Sequence, residues 1–131
     1  MCAVPPNGKK ILIVEDHADS AELLKDQVGQ FGYPTPLVVT NGSEALQKAY
    51  EENPDIILLD IVLSGMSGLE VARKLKADPR TRAIPILAVT AKAMPGDREM
   101  CLQSGCDGYL AKPFFSQNLK AEIEKLLIKT H

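Results

Sequence analysis

Two stretches of this chain, Ile11-Leu12-Ile13-Val14 and Ile56-Ile57-Leu58-Leu59, are apolar at every position. Each runs straight into acid, Glu15-Asp16 after the first and Asp60 after the second. A strand with one wet face alternates apolar and polar residues, whereas an unbroken apolar run is a strand covered on both faces. Between and beyond these runs the apolar spacing changes to three and four. Ala21, Leu24, Val28 and Phe31 form one stripe on a helix over residues 19–31, with Gly32 as its stop. Leu37-Val38-Val39 follows Pro34 and Pro36, which cannot donate ladder hydrogen bonds, and so suits an edge strand.

The alternation continues to the end of the chain. Asn41-Gly42-Ser43 opens a helix over residues 43–52, ended by Asn53-Pro54. The third strand covers residues 55–60. Ser67-Gly68-Leu69-Glu70 has the form of a capping box, so the third helix starts there, turns Leu69, Ala72 and Leu75 inward and stops near Asp78-Pro79. Pro85-Ile86-Leu87-Ala88-Val89 is the fourth strand, with Thr90 at its end. Pro95 is expected as the first residue of the fourth helix, which ends at Ser104-Gly105. Residues 108–111 make the fifth strand. Ser116 is expected to cap a last helix carrying Leu119, Ile123, Leu126 and Leu127 on its buried stripe.

Five strand–helix units in strict alternation predict an open α/β sheet of five parallel strands with helices on both faces, a three-layer sandwich. In the flavodoxin-like strand order, 2-1-3-4-5, ligands bind between the C-terminal ends of strands one and three. Glu15, Asp16 and Asp60 meet at that point. Crowded carboxylates need a positive neighbour. A divalent cation is one candidate and Lys112, in Ala111-Lys112-Pro113-Phe114, is another.

The 131 residues read as one domain, with a core over about 9–129, large enough to bury roughly two-thirds of its unfolded surface. A formal charge of −2 argues against nucleic-acid binding, which usually needs a basic face. No apolar run approaches the ~20 residues that span a bilayer, and residues 1–8 lack the features of a signal peptide. The chain is therefore expected in the cytoplasm, without membrane or direct nucleic-acid contact. Cys2, Cys101 and Cys106 have neither a disulfide framework nor a metal spacing and read as plain thiols.

The ordered set Ile11-Leu12-Ile13-Val14-Glu15-Asp16, Ile56-Ile57-Leu58-Leu59-Asp60, Gly65-Met66-Ser67-Gly68-Leu69-Glu70, Ala88-Val89-Thr90-Ala91 and Gly108-Tyr109-Leu110-Ala111-Lys112-Pro113-Phe114 resembles the receiver domain of bacterial two-component response regulators, CheY-like proteins. The resemblance covers residues 10–127. It implies that Asp60 is the phosphoacceptor and that Mg²⁺ is held by Glu15, Asp16, Asp60 and the backbone carbonyl of Val62. Asp16 and Asp60 would bind directly, Glu15 largely through water. It further implies that Lys112 pairs with the phosphoryl group, that the Lys112–Pro113 bond is cis, and that Thr90 and Tyr109 form the switch. The expected partners are a sensor histidine kinase or histidine phosphotransfer protein and a downstream protein target, which would bind the surface of helix four, strand five and helix five. The chain is then a phosphoacceptor switch rather than an enzyme in the usual sense.

Several residues carry readings of their own. His17 is read as an exposed residue at the pocket rim rather than a ligand, and Asp97-Arg98-Glu99 as a solvated helix face. Ser64 stands where many receivers have proline, and Pro36 is unusual in the second strand. Val62 and Lys92 occupy places that tune phosphoryl lifetime in the family. A constitutive interaction module and a Mg²⁺-dependent phosphatase with an aspartate nucleophile are the competing functions. The phosphatase usually needs an Asp-x-Asp pattern after strand one, which this chain lacks. After Phe115 one more helix remains, so no output domain is expected within this chain. The short lead before Lys9 favours a natural N-terminus, although a receiver excised from a larger protein fits the same residues.

Overall fold

The three central strands of this molecule are built from residues that leave water on both faces. The computed structural model describes residues 8–63, 65–91 and 94–129. In chain order it contains β1 (Ile11–Val14), α1 (Ala18–Gln30), β2 (Leu37–Val39), α2 (Gly42–Glu52), β3 (Ile56–Leu59), α3 (Gly68–Ala77), β4 (Ile86–Thr90), α4 (Asp97–Gln103), β5 (Gly108–Ala111) and α5 (Ser116–Lys129). The strands form one parallel sheet in the order β2-β1-β3-β4-β5. This is the flavodoxin-like architecture expected from the alternating pattern. β1, β3 and β4 are buried at every position, whereas β2, at the sheet edge, buries only Val39.

Successive side chains of a strand point to opposite faces, so each central strand feeds two cores. Leu12, Val14, Ile57, Leu59, Ile86 and Ala88 pack with Ala45 and Ala49 of α2, Val71, Ala72 and Leu75 of α3, and Cys101 of α4. Ile11, Ile13, Leu58, Leu87 and Val89 pack with Leu24 and Val28 of α1 and Leu119, Ile123, Leu126 and Leu127 of α5. Fully burying one such side chain contributes about 1.5–3 kcal/mol. Both layers are therefore needed, and the central strands are pinned from either side.

Three local expectations are corrected and one is extended. The third helix turns Val71 inward with Ala72 and Leu75, one turn on, while Leu69 is half-buried and packs against the same core. Its cap is Ser67 as expected, with the hydroxyl accepting from the Leu69 N–H at 3.1 Å. Pro95 is not the first residue of α4. The helix starts at Asp97, after Gly96 in the left-handed region at φ 92°. The Asp97 carboxylate accepts the Met94 N–H at 2.6 Å and closes the turn that Pro95 occupies. Asp97 itself is 9% exposed, so the 97–99 stretch is not uniformly a solvated face. Finally, Ser116 does not cap α5 but is its first residue; its hydroxyl accepts from Gln27 Nε2 at 2.9 Å, while the Phe115 N–H donates to Asn118 Oδ1 at 3.2 Å.

Candidate functional site

Strand register brings the acids together. Val14 pairs with Leu59 in the β1–β3 ladder, so Glu15 and Asp60 step off neighbouring strand ends side by side. The Asp60 N–H donates to the Val14 carbonyl at 3.0 Å and the Glu15 N–H to the Val39 carbonyl at 3.0 Å, extending the ladders to the acids themselves. The same logic operates on the other side. Thr90 pairs with Ala111, and the Lys112 N–H donates to the Thr90 carbonyl at 2.9 Å. Lys112 thus leaves β5 beside Thr90 and reaches back across β4 and β3 to the acids. Its bond to Pro113 is cis.

The loop after β3 is held close to Asp60. The Gly68 N–H donates to the Ile61 carbonyl at 2.9 Å. A Cβ at Gly68 would collide with the Asp60 carbonyl oxygen and come within 2.6 Å of the Ile61 Cα, so a side chain there would push the loop off the site. The Val62 N–H donates to Asp60 Oδ1 at 3.1 Å and fixes that carboxylate. The Val62 side chain is exposed.

Glu15 is 1% exposed and Asp60 6% exposed. Burial is the main reason that the Asp60 carboxyl is pushed up to about 6, helped by a hydrogen bond shared with Glu15 and that residue's charge. The Val62 N–H and Lys112 oppose this rise. Lys112 Nζ lies 2.7 Å from Glu15 Oε1 and 4.0 Å from Asp60 Oδ2, so one cation serves two buried acids. Negative charge remains in excess. Ligand atoms of Glu15, Asp16, His17 and Asp60 all lie within 4.8 Å of one another, close enough to hold a metal ion. Three carboxylates are hard oxygen donors of the kind Mg²⁺ takes, so the donor set fits the expected cation.

His17 stands at the rim as expected, with its side chain 73% exposed, yet its ring turns to the acids. Nδ1 is 3.1 Å from Asp16 Oδ1 and 3.4 Å from Glu15 Oε2. A cleft of about 310 Å³ opens above these groups, lined by His17, Ser20, Asp60, Val62, Thr90, Ala91 and Lys112. Ser20 joins the site without any signal in the sequence beyond its place in the first turn of α1. Thr90 is fully buried at the end of β4. Tyr109 is half-buried and packs against the core layer that contains Ala88, its partner in the β4–β5 ladder. Alternation puts Thr90 on the same face as Ala88. Burial raises the Tyr109 phenol, with Cys101, Asp97 and Glu99 of α4 adding to it.

Glu15, Asp16 and Asp60 gather in one cluster, Asp60, Val62, Thr90 and Lys112 line the cleft, and Tyr109 lies on β5 opposite Ala88. Ser64 and Lys92 lie outside the described residues, as does Cys2. Cys101 and Cys106 are buried and not joined in a disulfide, and burial pushes the Cys106 thiol up to about 12. Among the described residues no helix is long and apolar enough to cross a membrane.

The response regulator receiver domain family matches residues 11–124, and this chain belongs to that family. Among curated relatives it is 48% identical over 105 residues to the polar-differentiation response regulator DivK of Brucella anthropi, covering 80% of this chain and 85% of that one. The DivK of Brucella ovis is 47% identical over the same shares. Among solved structures, the receiver domain of a sensor histidine kinase from Pseudomonas aeruginosa superposes with a TM-score of 0.85 at 35% identity, over 92% of this chain and 98% of that one. That structure has a magnesium ion coordinated in its active-site cleft. A response regulator from Chloroflexus aurantiacus gives a TM-score of 0.87 at 32% identity, over 92% and 98%.

Proposed function

We propose that this chain is a phosphorylation-operated switch whose phosphoacceptor is Asp60. The observation that carries this reading is the meeting of a buried, loop-fixed Asp60 with two further acids and Lys112, with Asp60 and Lys112 opening into one cleft. The donor is a phosphohistidine on a sensor kinase or phosphotransfer protein. An Asp60 carboxylate oxygen forms the new bond to phosphorus as the phosphorus–nitrogen bond breaks, and its electron pair leaves with the imidazole. Asp60 becomes an acyl phosphate. A bound Mg²⁺ supplies charge neutralisation for the phosphoryl oxygens, and Asp16, Asp60, Glu15 and the Val62 carbonyl are the groups that would hold it. The rest is positioning by the protein. The Val62 N–H orients Asp60. Lys112 exchanges its contact with Glu15 for one with the phosphoryl group.

Thr90 then donates to a phosphoryl oxygen, and Tyr109 follows it inward, reshaping the α4–β5–α5 surface for a downstream protein target. A charge-assisted hydrogen bond contributes roughly 1.5–3 kcal/mol, and an ion pair near a protein surface has about 4 kcal/mol of Coulomb attraction before desolvation. Moving a two-state equilibrium from 1:99 to 99:1 takes about 5.5 kcal/mol. Thr90 and Lys112 acting together reach that scale, and neither does so alone. The test is phosphotransfer from a histidine-phosphorylated kinase core. Label should pass to this chain, and Asp60→Asn should abolish it. Transfer that survives the substitution would overturn the assignment.

A further inference from the structure

We propose that Asp97 is a positioning residue of the switch: its buried carboxylate pins the turn ahead of α4 and so ties that helix to the chain leaving Thr90. This rests on the switch role of Thr90 and Tyr109 proposed above. Among the described residues three carboxylates are buried, Glu15, Asp60 and Asp97, and only the first two belong to the acidic cluster. An aspartate in a first helical turn gains from the helix dipole while it stays in water. Taking its charge out of water costs free energy that hydrogen bonds must offset. Here the carboxylate accepts the Met94 N–H at 2.6 Å, the short contact of a charge-assisted bond, while the Asp97 N–H donates to the Met94 carbonyl at 3.0 Å. Met94 is thus held by both of its backbone groups, although its side chain is exposed.

Three residues separate Met94 from Thr90, so a displacement of the strand end meets the pinned turn within a short length of chain. Asp97 also lines a gap of about 10 Å³ together with Ile61, Leu69, Met100 and Cys101. Ile61 directly follows Asp60, and Leu69 belongs to α3, so α4 meets the segment leaving the phosphoacceptor at this point. α4 in turn packs against β5, and Tyr109 of β5 packs on the core layer that contains Cys101. The Asp97 charge is among those that raise the Tyr109 phenol. One carboxylate thus stands where the chain from Thr90, the segment after Asp60 and the helix beside β5 come together. Starting a helix does not by itself require such burial: Ser67 caps α3 from an exposed position.

The test phosphorylates the full chain with acetyl phosphate and Mg²⁺ and follows the amide and ring resonances of Tyr109 at matched extents of adduct by mass. Asp97→Ala should still take the phosphoryl group and keep the amide protection of α4. It should nonetheless lower the equilibrium constant for the switched form by about two-fold or more, the lower end of what a residue between coupled sites changes. Asp97→Asn keeps a neutral acceptor for the Met94 N–H and should lose less. Asp78→Ala removes another turn-holding carboxylate, one that accepts the Arg80 N–H at 2.8 Å, and should leave the Tyr109 response as it is. A parent-sized response in Asp97→Ala, a loss that comes only with melting of α4, or an equal loss in Asp78→Ala would overturn this proposal alone. If Asp97→Ala does not fold, Asp97→Asn decides: a reduced response supports the proposal and an unchanged one overturns it. No adduct on the parent chain, or no Tyr109 response in it, would bring down the switch reading itself, and this proposal with it.

Discussion

Lys112 Nζ stands 2.7 Å from Glu15 Oε1, joining residues 97 positions apart across the C-terminal edge of the sheet. The contact neutralises one buried acid in the resting protein and keeps Lys112 within 4.0 Å of Asp60. Removing the lysine would strand Glu15, which is 1% exposed, without its cation. Leaving a buried charged group unpaired costs on the order of 1–3 kcal/mol or more. Lys112→Met should therefore lower the thermal midpoint in chelator, and Mg²⁺ should restore much of the loss. Calorimetry with and without the cation checks this.

Asp60 gives the resting protein a pH dependence of its own. Its folded-state value of about 6 lies above the ordinary 3.8, with burial as the leading cause and Glu15 next. As pH falls, the folded form takes the proton first. Between about pH 6 and pH 4 it holds more protons than the unfolded chain, so this group's contribution to stability rises as pH falls and declines as pH rises. Above about pH 6 the full penalty stands, up to about 3 kcal/mol at 1.36 kcal/mol per unit. Asp60→Asn should accordingly stabilise the metal-free protein near pH 7.5, with the advantage shrinking toward pH 4. Urea unfolding across that range is the measurement.

Thr90 is fully buried at the strand end, and its proposed donation belongs to the phosphorylated state. Thr90→Ala should leave phosphorylation by a small donor nearly intact while uncoupling it from the α4–β5–α5 surface. Amide chemical shifts around Tyr109 and α4 should then respond to phosphorylation in the parent chain and not in the variant.

Val62 is 53% exposed at the mouth of the cleft, while its N–H holds Asp60. The side chain is thus free to act on water reaching the phosphoryl group, and the backbone is not. Val62→Glu should change the autodephosphorylation rate with little effect on stability. A decay assay on the phosphorylated protein reads it.

The layout of the sheet was legible because unbroken apolar runs and helical stripes leave few other arrangements. The acids converge for the same reason, since parallel register places Glu15 and Asp60 one step beyond the paired Val14 and Leu59. What local pattern does not reveal are polar contacts made across the fold. Gln27 sits on the buried side of α1, and its partner is the Ser116 hydroxyl 89 residues away. That tie turns an apparent cap residue into part of a helix–helix contact. Pro95 misled because proline suits a first helical turn, whereas here Gly96 and the Asp97 carboxylate set the start of α4. The direction of the His17 ring is likewise a matter of rotamer, which spacing along the chain leaves open.

The most direct test is whether Asp60 accepts a phosphoryl group. The protein is incubated with Mg²⁺ and acetyl phosphate, and its intact mass is measured beside Asp60→Asn. A single hydrolysable phosphoryl adduct that requires Mg²⁺ and is absent from the variant is the predicted result. An adduct that persists in Asp60→Asn, or no adduct on the folded protein with either this donor or a phosphohistidine donor, would contradict the account and leave a constitutive binding module in its place.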